Sequence, residues 1–204
     1  MTSVLMLARL RTLLDESAAG FWTDTEAYAA LSDGQREVFN VVFKRDPHSQ
    51  TLKNLLRDTA DGTAASNQAI TLPTDFREFV VAKLAVTTTE TKKPCRVIDY
   101  NESHFQNQQN TYLAPNKANP VVYVKGTTAL GKKIYFEPSS ASSDYSITYI
   151  TQPTEISAAV EPVLPVDAQE PIIIYAFSFL LRKDLRAQEA DGAYKIFSDM
   201  VGKL

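Results

Sequence analysis

Few side chains in this sequence have the type and spacing that catalysis or metal binding requires. Neither of the two histidines, His48 and His104, has a second histidine or a cysteine at the spacing of a metal site. The single cysteine, Cys95, excludes an internal disulfide and a cysteine-rich zinc site. We therefore expect both histidines at the surface, no bound metal, and synthesis in a reducing cytoplasm.

Carboxylates and a glycine-containing stretch offer two further sites, and simpler explanations are favoured for both. Asp15–Glu16 and Glu189–Asp191 are more simply solvated helix ends than paired catalytic carboxylates. The segment GTTALGKK, residues 126–133, lacks the Ser or Thr that follows Gly-Lys in a phosphate loop, and a strand comes next, so a hairpin loop is expected. A G-x-S-x-G nucleophile motif is absent from the sequence. We predict no catalytic, cofactor-binding or metal-binding residue, no cofactor, and no enzymatic activity.

Tyrosines in the predicted strands raise a binding hypothesis. Tyr123, Tyr135, Tyr145 and Tyr149 could form an aromatic face that stacks on sugars or bases. The alternation of side chains along strands makes packing in the core the commoner explanation. A carbohydrate-binding module stays open as an alternative at this point.

Size and composition indicate an ordinary soluble globular protein. The chain has 204 residues, 44% of them hydrophobic, and one domain with an insertion is the expected organisation. The formal charge of −3 argues against a dedicated nucleic-acid binder, which would cluster Lys and Arg. The longest apolar run, IIIYAFSFLL at 172–181, is about half the length needed to span a bilayer, so no membrane segment is predicted.

Helix start signals mark the segment that follows Trp22. Two residue pairs have the spacing of a capping box, in which the side chain of each residue accepts a hydrogen bond from the backbone N–H of the other. They are Thr23 with Glu26 and Ser32 with Gln35. They predict two tandem helices, Asp24 to Leu31 and about Asp33 to Arg45, and Trp22 is predicted to be a core anchor instead of an interface residue. Other helices are expected at Ser3 to Leu14, Ser49 to Arg57, Asn101 to about Gln109, from Asp167 or Pro171 to about Asp184, and roughly Ala187 to Lys203.

The middle of the chain has the period-2 alternation of strands. Strands are expected at Glu78 to Thr89, Lys93 to Asp99, Pro120 to Lys125, Lys132 to Glu137 and Asp144 to Gln152, the last three as an antiparallel meander. Residues 60–68 are expected to form a loop. The order of helices, strands and helices predicts an α+β protein whose N- and C-terminal helices form one bundle with an antiparallel β-rich insertion. The predicted parts are 1–60, helical; 61–155, the β-rich insertion; and 156–204, a linker and helices that complete the bundle.

Motifs in a fixed order give the sequence a family resemblance. They are LARLRTLLDE followed by FWTDTEAYAALSDGQREV; LPTDF; PVVYVKG and KKIYFEPSSASSDYSITYI; a proline-containing linker; and IIIYAFSFLL followed by a helix with Ala190, Tyr194 and Phe197. In this order the chain resembles the head-to-tail adaptor, or connector, proteins of short-tailed bacteriophages. The resemblance covers nearly the whole chain.

The resemblance implies a structural virion protein in the neck between capsid and tail. Members of that family are expected to form a ring, usually of twelve copies, below the portal protein. The ring extends the DNA channel and provides a platform for tail or nozzle proteins, and genomic DNA only passes through it. No residue is assigned to a portal or subunit interface. A β-rich carbohydrate-binding decoration or tail-associated module is the alternative, and an enzyme is the third choice.

Overall fold

The protein has four helices and two β-sheets in the part that its computed structural model describes. The described residues are 1–16, 20–45, 55–64, 69–99, 114–127, 131–138 and 143–204. They divide into a helical unit, Met1–Leu56 with Gln152–Leu204, and a β unit, Arg57–Thr151. The α+β fold class predicted from the sequence is confirmed.

The helical unit contains α1 (Ser3–Leu13), α2 (Asp24–Arg45), α3 (Val166–Lys183) and α4 (Ala187–Val201). Helix α3 packs against the other three helices, which explains why its sequence is apolar nearly all the way round. Gly34 lets α2 approach α3 closely, since a Cβ atom there would lie 2.6 Å from the carbonyl oxygen of Ile172.

The prediction of two tandem helices after Trp22 is wrong, because α2 runs without a break from Asp24 to Arg45. The second start signal lies inside this helix, where backbone N–H groups already have partners one turn earlier. Its side chains are therefore available for contacts with other parts of the helical unit.

The β unit contains eight strands within the described residues. They are β1 (Arg57–Ala64), β2 (Ile70–Thr71), β3 (Phe76–Ala85), β4 (Lys93–Pro94), β5 (Arg96–Val97), β6 (Val121–Thr127), β7 (Gly131–Glu137) and β8 (Ser143–Thr151). One sheet has the order β1-β8-β3-β4 and the other the order β2-β7-β6-β5. All pairs are antiparallel except β5 with β6, which is parallel.

Two predictions for the β unit are wrong. The loop expected at 60–68 begins as strand, because β1 pairs along its whole length with β8. The three-strand meander is not formed either: β6 and β7 make a hairpin, whereas β8 lies between β1 and β3 in the other sheet. Of residues 126–133, which were expected to form a hairpin loop, 126–127 end β6 and 131–133 begin β7, and 128–130 lie outside the described residues.

A single apolar cluster joins the two sheets. Leu84 and Ile147 come from one sheet, Val122 and Ile134 from the other, and all four are nearly inaccessible to solvent. The chain passes from one sheet to the other at Cys95, which separates β4 from β5 and packs against this cluster. The sheets therefore bury one face each against a common core.

Several sequence predictions lie outside the described residues. These are His48, His104, the helix at Asn101 to about Gln109 and most of the helix at Ser49 to Arg57, of which Arg57 belongs to β1. Within the described chain, no helix combines the length and the apolar character needed to cross a membrane.

Candidate assembly surface

Arg11 connects the end of α1 to the beginning of α2. Its guanidinium donates to the Glu16 carboxylate at 3.0 Å, to the carbonyl oxygen of Trp22 at 3.2 Å and to the Asp24 carboxylate. Glu16 in turn accepts hydrogen bonds from the backbone N–H groups of Phe21 and Trp22. Glu16 was expected at a solvated helix end, but its side chain is only 12% exposed. This carboxylate holds the connection between the two helices.

Trp22 and Phe21 occupy opposite environments although their rings touch. Trp22 is 8% exposed, which confirms its prediction as a buried residue, whereas Phe21 is 72% exposed. The ring centroids are 5.0 Å apart in an edge-to-face arrangement. Phe21 is thus the exposed aromatic side chain of the connection between α1 and α2.

Thr23 and Glu26 form the reciprocal cap predicted from the sequence. The N–H of Thr23 donates to the Glu26 carboxylate at 3.0 Å, and the N–H of Glu26 donates to the Thr23 hydroxyl at 3.2 Å. Hydrogen bonds from the side chain and the backbone of Thr23 lower the pKa of the Glu26 carboxyl. The beginning of α2 is therefore fixed locally.

Ser32 and Gln35 bind the segment 153–164, which we call the strap. The amide of Gln35 donates to the carbonyl oxygen of Thr154 at 2.8 Å and accepts from the N–H of Val163 at 2.9 Å. The Ser32 hydroxyl accepts from the N–H of Ile156 at 2.9 Å. Gln35 is fully buried, and the N–H and the oxygen of its side-chain amide both form hydrogen bonds with the strap.

A groove of about 310 Å³ lies between α2 and the strap. Its lining includes Thr25, Tyr28, Ala29, Asp33, Arg36 and Glu155. Arg36 bridges Asp33 at 3.1 Å and Glu155 at 2.7 Å across the groove. Burial, followed by the charges of Asp24 and Glu161, raises the pKa of Tyr28. The charged lining of the groove is therefore two carboxylates bound to one guanidinium.

Helices α3 and α4 are joined by aromatic and ionic contacts. Tyr175, Tyr194 and Phe197 form a cluster with centroid separations of 5.1–6.4 Å. Arg182 lies over the Tyr194 ring and pairs with Asp191 at 3.1 Å. Asp191 is exposed, as expected for a solvated helix end.

The tyrosines of the β unit do not form one aromatic platform. Tyr149 is 3% exposed and Tyr123 is 8% exposed, and Tyr145 packs against the core cluster. Tyr123 stacks on Tyr135 in one sheet, whereas Tyr145 and Tyr149 belong to the other. Core packing, the commoner explanation, accounts for Tyr145 and Tyr149, whereas Tyr123 and Tyr135 alternate with the cluster residues of their strands and stack on each other.

The chain matches a model of a known protein family. A family model described as SU10 adaptor protein matches residues 1–204, the whole chain. The chain belongs to this adaptor family. The match confirms the resemblance to phage head-to-tail adaptors, and with it a structural role in association with other phage head and tail proteins. No curated protein matches the chain.

Assembly contacts, not catalysis, are the chemistry to look for in an adaptor. Among the described residues, no group of three or more His, Cys, Asp or Glu is placed to hold a metal ion. Eleven of the twelve exposed large hydrophobic side chains of the described chain belong to the helical unit. They are Met1, Val4, Leu5, Phe21, Leu55, Val160, Val166, Leu185, Tyr194, Ile196 and Leu204; Val97 is the one in the β unit.

Sequence reasoning did not predict that these residues are exposed. Val4, Leu5 and Ile196 have the same apolar character as their buried helical neighbours, so composition alone does not distinguish them. Leu185 carried one signal, since it is a leucine between charged residues just beyond the apolar run of α3.

Proposed function

We propose that this adaptor forms a ring, of twelve copies, below the portal of a phage head. The ring extends the DNA channel and presents a platform for tail or nozzle proteins. The observation that carries the proposal is the concentration of exposed apolar side chains on the helical unit. Exposed apolar surface in a soluble chain marks sites of protein contact, and family membership supplies the kind of contact.

We further propose that the N- and C-terminal helices act as one bundle with the β unit as an insertion. The packing of α3 against α1, α2 and α4 supports this arrangement. The parts predicted from the sequence are 1–60, 61–155 and 156–204, and we propose them with the boundaries moved to the ends of the β unit, Arg57 and Thr151. Strand β1 supports placing the first boundary at Arg57.

The proposed mechanism is geometric and involves no bond making. Each copy contacts its neighbours and the portal, and genomic DNA passes through the ring. The formal charge of −3 suits a channel through which DNA moves without binding tightly. The burial of Tyr123 and Tyr149 does not favour the carbohydrate-binding alternative.

The test is incorporation into heads that contain portal protein but lack this adaptor. Purified full-length chain is added, the heads are separated by sedimentation, and bound copies are counted against portal by quantitative gel analysis. We expect a saturating number of copies equal to one ring, with increased light scattering of the heads. Failure of the wild-type chain to join the heads would contradict the proposed function.

A matched pair of variants tests whether the helical unit provides the contacts. Ile196→Gln removes an apolar side chain that is 53% exposed on α4 and keeps a good helix former. Val97→Thr makes a similar change at a side chain that is 50% exposed on β5. We expect Ile196→Gln to lower the number of bound copies more than Val97→Thr. The reverse order would assign assembly to the β unit.

A further inference from the structure

Strands β6 and β7 have one face toward the apolar cluster of the β unit and one face away from it. Side chains alternate along a strand, and Val122, Val124, Ile134 and Phe136 lie in or against the cluster. The residues between them form the opposite face of the hairpin, which we call the outer face. Its described side chains are Val121, Tyr123, Lys125, Lys133, Tyr135 and Glu137. Packing in the cluster therefore does not account for the polar residues of the outer face.

Two lysines lie directly opposite each other on the outer face. Lys125 of β6 and Lys133 of β7 are partners in the antiparallel ladder, and both are partly exposed. The Lys133 ammonium donates to the hydroxyl of Thr71 on β2 at 2.8 Å, and this neutral partner leaves the charge in place. Like charges in direct cross-strand register destabilise a sheet. A ligand with closely spaced negative charges would turn this arrangement into a favourable one.

The carboxylate of the outer face is separated from the two lysines. Glu137 lies four residues from Lys133 along β7, which corresponds to about 13 Å. It accepts a hydrogen bond from the Tyr123 hydroxyl at 2.8 Å. Tyr123 and Tyr135 occupy the row between, with stacked rings whose centroids are 5.5 Å apart. The lysine end of the outer face is therefore cationic.

The sequence around these strands has the same bias. Between Glu102 and Glu137 the chain contains four lysines and no Asp or Glu. The whole segment of the β unit, Arg57–Thr151, contains ten Lys and Arg against nine Asp and Glu, whereas the rest of the chain contains eleven against fifteen. The formal charge of −3 thus comes from the helical unit, and the cationic residues of the hairpin form a local exception.

The character of the outer face favours a nucleic-acid backbone over a protein partner. The centre of a protein interface is apolar and poor in lysine, but the exposed large hydrophobic of the described β unit, Val97, is paired with Val122 and lies on the other face. Interfaces with nucleic acid are polar and positively charged. Single strands stack their bases on exposed aromatic rings, whereas Tyr123 is 8% exposed and stacks on Tyr135. Duplex DNA is the nucleic acid that fits these observations.

We propose that Lys125 and Lys133 bind the phosphate backbone of duplex DNA without reading its sequence. In the proposed ring this DNA is the genome passing through the channel, and the inference rests on the proposed function for that setting. Two phosphate contacts per copy are weak and sensitive to salt. Their repetition around a ring guides the duplex, while an overall acidic chain prevents it from being held tightly.

The test is binding of the full-length chain to a short fluorescent DNA duplex of mixed sequence. Anisotropy is measured from about 20 to 200 mM salt, so that the slope of log Kd against log salt counts the phosphate contacts. In the double variant Lys125→Gln, Lys133→Gln we expect the Kd at the lowest salt to rise at least about tenfold and the slope to fall by about 2. Absence of wild-type binding at the lowest salt would overturn the proposal, and so would an unchanged Kd in the double variant.

Two further double variants separate the site from overall charge and from folding. Lys83→Gln, Lys93→Gln removes the same charge from exposed lysines on β3 and β4 of the other sheet, and its Kd should change less than about twofold. Equal weakening by both glutamine pairs would assign binding to overall charge and overturn the proposal. Lys125→Arg, Lys133→Arg keeps both cations and should bind like wild type, since a guanidinium also binds phosphate.

Incorporation into heads distinguishes this inference from the proposed function. A wild-type chain that binds DNA through these lysines but does not join heads would support the DNA contact and contradict the proposed function. The Lys125→Gln, Lys133→Gln chain should join heads in the wild-type number while binding DNA more weakly. If it instead bound DNA like wild type and failed to join heads, the lysines would contact an acidic protein surface, and the DNA contact would be overturned.

Discussion

The two units of this adaptor differ in how many large apolar side chains they expose to solvent. The described part of the helical unit exposes eleven large hydrophobic side chains, whereas that of the β unit exposes one, Val97. The β unit places its apolar residues between its two sheets, where one cluster draws on both. This contrast is the observation on which we base the proposal that the helical unit provides most of the protein contacts.

The units also differ in what holds them together. The β unit is held by strand ladders, with β8 paired on both sides. The helical unit depends on side chains that bind distant backbone, since Gln35 and Ser32 hold the strap more than 115 residues away. A single substitution can therefore release a whole segment of the helical unit.

The chain contains one intrinsic probe for each unit. Its single tryptophan, Trp22, is buried in the helical unit, and its single cysteine, Cys95, packs against the core of the β unit. Burial raises the pKa of the Cys95 thiol to about 12. Since the thiolate is the reactive form, labelling of Cys95 should be slow until the β unit opens. Trp22 fluorescence and Cys95 labelling can follow the two units in one sample.

The largest effect is expected from Phe39→Ala in α2. Phe39 is 1% exposed and packs on Phe43, so the substitution should lower the free energy of unfolding of the helical unit by about 3–5 kcal/mol. We expect the denaturation midpoint seen by Trp22 fluorescence to fall more than the midpoint seen by Cys95 labelling. Equal shifts would show that the two units unfold together, and the contrast between them would then not extend to stability.

Ile134→Ala is the reciprocal change in the β unit. Ile134 is fully buried in the cluster shared by the sheets, and its truncation should cost about 2–5 kcal/mol. Labelling of Cys95 should become faster in the native buffer, and Trp22 fluorescence should change less. Val97→Ala is the control, because this side chain is half exposed. Unchanged labelling in Ile134→Ala would show that Cys95 does not report on this core.

Gln35→Leu tests the attachment of the strap. The carbonyl oxygen of Thr154 and the N–H of Val163 lose their partner, which should cost on the order of 1–3 kcal/mol. Hydrogen exchange of the Val163 amide should increase. Arg36→Ala serves as the comparison, since its ion pair with the exposed Glu155 should contribute less than about 1 kcal/mol. If Arg36→Ala were the more destabilising change, the ion pair and not the amide would hold the strap.

A further effect is expected at alkaline pH, where Tyr149 titrates in the β unit. Burial, followed by the charges of Asp75 and Asp58, raises the pKa of Tyr149 to about 12 from an ordinary value of 10.0. The folded state therefore favours the neutral phenol, and this contribution is present below pH 10 and is lost as the pH rises from 10 to about 12. Between pH 10 and about 12, the free energy of unfolding of Tyr149→Phe should therefore fall less than that of the wild type. The measurement is urea denaturation at several alkaline pH values, with the tyrosine absorbance titration as a check. Equal losses in both proteins would assign the alkaline effect to other groups.

The sequence predicted the helices well because the signals that begin and end a helix lie within a few residues of its ends. The Thr23–Glu26 cap was confirmed, since both of its hydrogen bonds close within one turn. Ser32 and Gln35 have the same spacing but bind the strap, and no local rule can identify a partner so distant in sequence. The left-handed conformation of Leu185 could not be predicted from the sequence either, because leucine seldom adopts it.

Strands were located better than they were paired. Tyr145, Ile147 and Tyr149 alternate along β8, as strand periodicity requires of residues on one face, and the structure places them in or against the core. Alternation does not determine which strand lies beside which, so the meander was wrong. Strand β1 was missed because its sequence, RDTADGTA, lacks large apolar residues; it lies at the edge of its sheet and is largely exposed.

The pairing of β1 with β8 brings the two ends of the β unit side by side. Arg57 lies opposite Ile150 in an antiparallel ladder, where partner Cα atoms are about 4.5–5.5 Å apart. The distance between entry and exit is thus short enough for a tight turn to bridge. The segment between them can be deleted, shortened or exchanged for a foreign domain without lengthening the chain that remains. The architecture therefore offers a grafting point through which cargo could be attached to a phage particle.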